Sequence, residues 1–306
     1  MSPIAFLLEY TFRQTVIGTA LIGLTAGALG PFLYLRGQSL LSDVIGHSAT
    51  GGVMGAFVVA SVALGVDGRS MLAIIIGALI SGLLAVVLVH KISTTTTLGA
   101  DAVMAVMLSL FFGGGLVILQ WIQRSTLPQK GGIESIMFGN AATLTRADIV
   151  TVAVIAAAIL LQTLILWRPL ALLTFDSTYS ASVGLNVAWL SRLQFAAIVL
   201  AAVMGIKAVG LVLIIAFTII PPAAARQWSN SLATMVMVSG AIGAGSAMVG
   251  SYLSIMARAP TGPFIVLVLT AAFAASLVLS PNRNVFTAIR RRRARLAMAT
   301  RSGDSR

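Results

Sequence analysis

The sequence predicts an all-α membrane protein, a polytopic bundle of about nine transmembrane helices within a range of eight to ten. Hydrophobic residues fill 58% of the 306 positions and charged residues only 9%, and the mean hydropathy is +1.01. A water-soluble domain of this composition would lack the polar surface to cover itself. The apolar runs are long and unbroken, whereas barrel strands alternate, so a membrane β-barrel is excluded.

The predicted spans follow from apolar runs close to the ~20 residues that cross a bilayer. Arg36 separates the first two runs, a polar turn at 65–69 ends the second, and His90 with Lys91 ends the third. The longest polar loop, 123–147, follows the fourth. The runs are 16–35, 36–64, 71–89, 98–122, 149–167, 193–225, 232–256 and 264–279.

The run 193–225 is too long for one ordinary span. It is interrupted at Gly205, Ile206 and Lys207 and reaches Pro221 and Pro222 near its end. We therefore predict two short helices joined by a tight outer turn. The main role predicted for the prolines is to stop the second helix, and a role in a gate is secondary.

Three parts follow one another along the chain. Residues 1–14 are predicted as an interfacial N-terminal helix, 15–281 as the transmembrane domain, and 282–306 as a basic cytoplasmic tail. The run from Arg290 to Arg295 in this tail contributes strongly to the net charge of +12. It could bind nucleic acid or lipid, but no nucleic-acid module surrounds it. We expect it to lie on anionic lipid headgroups as a positive-inside anchor, with no nucleic-acid partner.

An acid and an imidazole interrupt the second apolar run. Asp43 and His47 are four residues apart, so a helix places them on one face. A charge at the centre of a span costs about 2.5–3.5 kcal/mol on insertion scales and is usually functional. Measured from Arg36 at about 1.5 Å per residue, His47 lies near the bilayer midplane. An oxygen and a nitrogen ligand at that depth could hold a divalent metal in transit. Alternatively, Asp43 caps a helix that starts late and His47 bonds to a neighbouring span.

The sequence shows no motif that would indicate an enzyme. It has no G-x-x-x-x-G-K-[ST] phosphate loop for ATP, no visible catalytic set, and no cysteine for a thiolate metal site. Active transport would therefore need a separate ATPase, and the chain would need an element on which that ATPase docks.

The segment 172–190 is a candidate docking element. It lies between two spans on the predicted cytoplasmic side, where Asp176 or Ser177 can cap a short helix that ends at Gly184. The residues alone fit a plain interfacial connector equally well.

Several stretches resemble, in the same order, motifs in the membrane permeases of ABC importers for zinc, manganese and iron. Two departures are that no proline follows His47 and that Met104 replaces a glycine. The resemblance extends over about residues 16–281. The stretches are Ser42-Asp43-x-x-x-His47, Ala100-Asp101-Ala102-Val103-Met104, Ile136-Met137-Phe138-Gly139-Asn140, Phe175-Asp176 through Gly184-x-Asn186-Val187, and Gly210-Leu211-Val212-Leu213 through Ile220-Pro221-Pro222-Ala223-Ala224-Ala225-Arg226.

The resemblance implies a permease with the fold of vitamin B12-type ABC importers, located in the cell membrane. It implies a homodimer, two copies of a separate ATPase subunit, and an extracytoplasmic metal-binding protein. The transported ion would be manganese or zinc, with iron as a third candidate, and no cofactor would be bound permanently.

The resemblance also assigns roles to residues. Asp43 and His47 would hold the ion in transit, and a coupling group in 172–190 would meet the ATPase. Asp101, Pro221 and Pro222 would be gate or structural residues. The coupling group comprises Phe175, Asp176, Ser180, Ala181 and Gly184.

Three rival functions stay open from the sequence. An ABC permease for a metal chelate or a cobalamin-like ligand would share the fold but needs no metal ligands. A secondary metal transporter would work without ATP, although no inverted repeat is visible. A purely structural membrane subunit would leave the intramembrane ionisable groups without a use.

Overall fold

The computed structural model describes residues 10–63, 65, 68, 70–127, 131, 144–257 and 259–280. Within these residues the chain forms eleven α-helices and no strand, which confirms the predicted all-α class. The helices are α1 Tyr10–Leu35, α2 Ser39–Val58 with a π-helical extension Val59–Ala63, α3 Met71–Thr95, α4 Ala100–Arg124, α5 Arg146–Ile165, α6 Trp167–Phe175, α7 Ser177–Ser182, α8 Val187–Val209, α9 Leu211–Trp228, α10 Leu232–Ala257 and α11 Thr261–Leu279.

Eight of the described helices are long and apolar enough to cross a membrane: α1 to α5, α8, α10 and α11. This number lies inside the predicted range of eight to ten. Helices α6 and α7 are too short to span and form the connection between α5 and α8. Helix α9 packs against α1, α8, α10 and α11.

The predicted boundary at residue 14 falls inside a helix. Residues 10–14 form the beginning of α1, and Gln14 and Thr15 are both buried there. The rest of the predicted interfacial helix, the tail 282–306 and the motif Ile136–Asn140 lie outside the described residues.

The run 193–225 does contain two helices, but the break is at Gly210 and not at Gly205–Lys207. Gly210 has a φ of +82°, a left-handed conformation that glycine adopts without strain. Gly205 serves another purpose. A Cβ there would lie 2.5 Å from Ile214 Cδ1, so its missing side chain lets α8 and α9 pack closely on either side of the turn.

The prediction that Pro221 and Pro222 stop the helix is wrong, because α9 continues through them to Trp228. Each proline removes one backbone hydrogen bond. Neighbouring helices and hydroxyl side chains compensate for such losses in a membrane bundle. Here Gly30 of α1 lies against the Thr218 carbonyl and the Pro222 ring.

Helices α1 and α10 pack as a close antiparallel pair. A Cβ added at Gly23 would lie 2.5 Å from the Gly243 carbonyl oxygen, so the backbones approach to a distance that only glycine permits. Ser239 Oγ donates to the Gly27 carbonyl at 2.5 Å. Small residues commonly allow such approach between membrane helices.

Helix α2 is held between α3 and α4. Gly52 meets Gly77 of α3, and Gly51 meets Gly115 of α4, where added Cβ atoms would clash. Ser81 Oγ on α3 donates to the Ser48 carbonyl at 2.7 Å. These contacts fix the helix that carries the acid–imidazole pair on two sides.

Candidate metal-ion site and coupling segment

A tight turn sets the start of α2. Gly37 has a φ of +67°, and Gln38 is the N-cap residue of the helix. The Arg36 guanidinium lies 5.7 Å from the centre of the Phe195 ring on α8, and burial lowers the pKa of Arg36 from its ordinary value. Because α2 begins at Ser39, Asp43 belongs to its interior and does not cap it.

Asp43 and His47 form a pair on one face of α2, as predicted from their spacing. Asp43 Oδ1 and His47 Nε2 are 3.3 Å apart. The side chains are 30% and 20% exposed, so the pair opens onto a surface of the bundle and is not sealed in its core. One cation could therefore reach both atoms.

The other side of the imidazole is covered by α4. The Phe112 ring meets the His47 ring edge to face at a centroid distance of 4.6 Å. His47 Nδ1 is buried and has no hydrogen-bond partner among the described residues. The ring is therefore held by packing, with Nε2 directed to Asp43, and is not hydrogen-bonded to a neighbouring span. Phe112 was missed by sequence reasoning, because nothing in the sequence links it to His47.

The pair supplies two groups of the kind that bind divalent metals. Carboxylate oxygen and imidazole nitrogen suit manganese, iron(II) and zinc, which take four or more ligands. No group of three or more metal-ligating side chains occurs among the described residues.

The structure does not bring Asp101 to the pair. It is exposed in the first turn of α4, where a carboxylate suits the helix dipole, and the N-cap residue is Gly99. Phe112, which contacts His47, lies 11 residues further along α4. This spacing corresponds to about 16 Å along the helix axis. Pro221 and Pro222 are buried in α9, where Pro222 lies against Gly30 of α1.

The segment 172–190 forms the predicted capped turn. Asp176 is the N-cap of α7, and its Oδ1 accepts from the Tyr179 amide at 2.8 Å. Gly184 ends the helix with a φ of +83°. Asn186 then caps α8 by accepting from the Trp189 amide at 2.9 Å. Consecutive caps thus hold a short helix between two longer ones.

This segment exposes three large apolar side chains among polar ones. Phe175, Tyr179 and Val183 are spaced by four residues and are 67%, 55% and 56% exposed. Ala181 and Gly184 are also exposed, whereas Ser180 is fully buried and its Oγ donates to the Asp176 carbonyl. Ser180 therefore holds the segment together from inside. Sequence reasoning missed Tyr179 and Val183, because Asp176 has an extended backbone between α6 and α7 and helical spacing from Phe175 does not continue across it.

Among the described residues, eight apolar spans, an acid–imidazole pair within one of them and an exposed connector between α5 and α8 define a polytopic membrane protein. The chain belongs to the ABC 3 transport family, whose model matches residues 9–280. It is thus a multi-pass protein of the cell membrane and a permease of the metal-ion ABC transporter type.

Two relatives and one solved structure illustrate this membership. The chain is 35% identical over 286 residues to "Zinc transport system membrane protein TroC" of Treponema pallidum, covering 93% of this chain and 94% of that protein. It is 35% identical over 280 residues to "Manganese transport system membrane protein MntC" of Bacillus subtilis, covering 91% of this chain but 63% of that longer protein. The structure of PsaBC from Streptococcus pneumoniae in complex with Fab aligns with a TM-score of 0.80 and 28% identity, over 92% of this chain and 96% of that one.

Proposed function

We propose that this chain is the permease subunit of an ATP-driven importer for manganese or zinc, with iron as a third candidate, and that Asp43 and His47 bind the ion in transit. The observation that carries the proposal is the 3.3 Å approach of Asp43 Oδ1 to His47 Nε2 on an accessible face of α2. Their chemistry matches these ions, and their position within a span matches a transport path.

A homodimer would complete the site. At this pair the described residues of one chain offer one carboxylate and one imidazole, which is too few ligands to retain a divalent ion. Two copies facing each other across α2 would offer two of each. The partial exposure of both side chains supports such sharing, because a sealed pair could not contribute to it.

Energy would come from two separate ATPase subunits. The exposed face of Phe175, Tyr179 and Val183 is the surface on which we place them, with Asp176 and Gly184 setting its shape. Movement of this segment would reach the spans through α6 and α8, which are continuous with it in the chain. An extracytoplasmic metal-binding protein would deliver the ion.

Three further residues are proposed as gate or structural residues that do not bind the ion: Asp101, Pro221 and Pro222. Asp101 is exposed on α4, the helix that also contacts His47, and would act as a gate residue or as a structural one. The two prolines shape α9 where it packs on α1, so a change in this contact would accompany any gating movement.

The test is metal accumulation in cells that express the chain with its neighbouring ATPase and binding protein. Zinc, manganese and iron are measured together by mass spectrometry for wild type, His47→Ala and His90→Ala. His90 is the other histidine and lies exposed near the end of α3, so it is the matched control. We expect His47→Ala to abolish accumulation of one metal and His90→Ala to leave it unchanged. Unchanged accumulation in His47→Ala, at equal protein in the membrane, would reject the site.

The same cells separate the rival functions. An ATPase subunit that cannot hydrolyse ATP should stop accumulation. Continued accumulation would instead indicate a secondary transporter. Loss of chelate or cobalamin uptake with no change in free metal would indicate the chelate permease.

A further inference from the structure

A groove at one end of the bundle is not used by the proposed transport path. It lies between the junction of α5 with α6 and the beginning of α10, and its volume is about 640 Å³. Leu164, Ile165 and Met237 form apolar walls, and Trp167 and Arg168 stand at the α6 end. None of the described residues that line it is acidic.

Trp167 and Arg168 each combine an apolar body with a polar end, and such side chains suit a membrane interface. Trp167 is anchored by an edge-to-face contact with Phe32 of α1, at a centroid distance of 6.1 Å. Arg168 is exposed and follows directly on the span that ends at Ile165. Tryptophan and arginine at the end of a span favour the headgroup region, with apolar neighbours at acyl-chain depth.

The groove faces away from the proposed ion path. Helices α5 and α10 both pack on α1, and neither makes an extensive contact with α2 or α4. A second copy placed against the Asp43–His47 face would therefore leave this groove on the outside of the assembly. The exposed aliphatic side chains Leu164, Ile165 and Met237, which are 70%, 71% and 65% exposed, then face lipid.

We propose that this groove binds an anionic phospholipid of the inner leaflet. An acyl chain would lie along Leu164 and Met237, and the phosphate would pair with the Arg168 guanidinium. The assignment to the inner leaflet rests on the proposed function, because it takes the segment after α6 to be the ATPase-facing side. The lipid would sit at the base of that segment, since α6 begins at Trp167.

Quenching of Trp167 fluorescence by brominated lipids tests the proposal on the purified, full-length permease in nanodiscs. The other three tryptophans, Trp121, Trp189 and Trp228, are changed to Phe so that only Trp167 reports. The discs consist of phosphatidylcholine with a minor share of brominated lipid, which is either phosphatidylglycerol or phosphatidylcholine. No ion or ATPase is present, so the result does not depend on transport.

We expect Trp167 to be quenched by brominated phosphatidylglycerol with an apparent affinity about fivefold higher than by brominated phosphatidylcholine. One basic residue near an anionic surface contributes about 1 kcal/mol, which corresponds to this ratio. Arg168→Gln should abolish the preference, whereas Arg192→Gln, an exposed arginine outside the groove, should retain it. Ala233→Phe fills the groove from an exposed position of α10 and should reduce quenching by both lipids.

Two results would overturn the proposal. Equal quenching by both lipids in the parent protein would mean ordinary annular contact. Absence of quenching by either lipid would mean that a protein surface, such as a second copy, covers the groove. Neither result bears on metal accumulation, so this proposal and the proposed function can fail separately.

Discussion

At the scale of single residues, His47 depends on a side chain from another helix. Phe112 of α4 packs on its ring, and Nδ1 makes no hydrogen bond within the described part of the chain. Edge-to-face pairs of this kind contribute about 0.5–1.5 kcal/mol beyond simple burial. The orientation of the His47 ring is therefore set by packing between α2 and α4.

Phe112→Ala should weaken metal binding without abolishing it. Loss of about 0.5–1.5 kcal/mol of orienting contact corresponds to an affinity up to about tenfold lower. Uptake measured against external metal concentration should show a higher half-saturation value with a similar maximum rate. Phe112→Leu retains part of the bulk, so its half-saturation value should lie between those of wild type and Phe112→Ala. A Phe112→Ala protein with unchanged half-saturation would show that the contact does not position His47.

Asp43→Asn should abolish metal uptake and leave the protein folded. Asparagine keeps the size of the side chain but removes the charge that compensates a divalent ion. Uptake is measured alongside the amount of protein in the membrane and its elution from size exclusion. Val249→Ala, an exposed change on α10, which has no extensive contact with α2, is the control and should transport normally. Loss of folded protein in Asp43→Asn would instead assign a structural role.

The two metal-ligand candidates could be found in the sequence, but their surroundings could not. Asp43 and His47 share a face through helix geometry alone, and an acid inside an apolar run stands out. Phe112 reaches His47 through tertiary packing across 65 positions of chain. Nothing local distinguishes Phe112 from other aromatic residues in apolar runs.

At the scale of helices, close backbone approach holds the bundle together. The contact of α1 with α10 depends on Gly23, where a Cβ would lie 2.5 Å from the Gly243 carbonyl oxygen. Glycine in a helix otherwise costs up to about 1 kcal/mol relative to alanine, and here it leaves room for the neighbouring backbone.

Gly23→Ala should therefore destabilise the protein, by about 1–3 kcal/mol from overpacking. Gly245→Ala on α10 is the matched control, because a Cβ there meets nothing within 4 Å. Thermal unfolding in detergent should show a lower midpoint for Gly23→Ala and an equal or higher one for Gly245→Ala. Equal midpoints for the two variants would contradict the packing described for α1 and α10.

The coupling segment provides a second prediction at this scale. Tyr179→Ala removes an exposed aromatic side chain from this segment and should reduce co-purification of the ATPase. Thr178→Ala alters the adjacent exposed position and should retain it. If both variants co-purify with wild-type amounts of ATPase, the face formed by Phe175, Tyr179 and Val183 is not the docking surface.

The sequence predicted where helices occur better than how they are interrupted. Apolar length indicates a span directly, so the eight candidate spans fall within the predicted range. Gly205 and Gly210 look alike in sequence, yet one permits close packing and the other a positive φ. Pro221 and Pro222 read as helix stops, but α9 continues through them where it packs on α1. Only the tertiary arrangement distinguishes these uses.

At the scale of the whole molecule, the two proposed sites involve different helices. The Asp43–His47 pair lies on the side of α2 and α4, and the proposed lipid groove lies on the side of α5 and α10. The α6–α7 connection joins a groove-lining helix to the proposed ATPase surface. On this account each chain supplies half of an ion site, and transport requires two copies.

The most direct test of this account is X-ray absorption at the metal edge of the purified permease loaded with zinc or manganese. We predict a shell of oxygen and nitrogen ligands with imidazole scattering, which disappears in His47→Ala and persists in His90→Ala. The metal content should correspond to one ion shared by two chains. A spectrum without imidazole, or one unchanged in His47→Ala, would contradict the claim that Asp43 and His47 hold the transported ion.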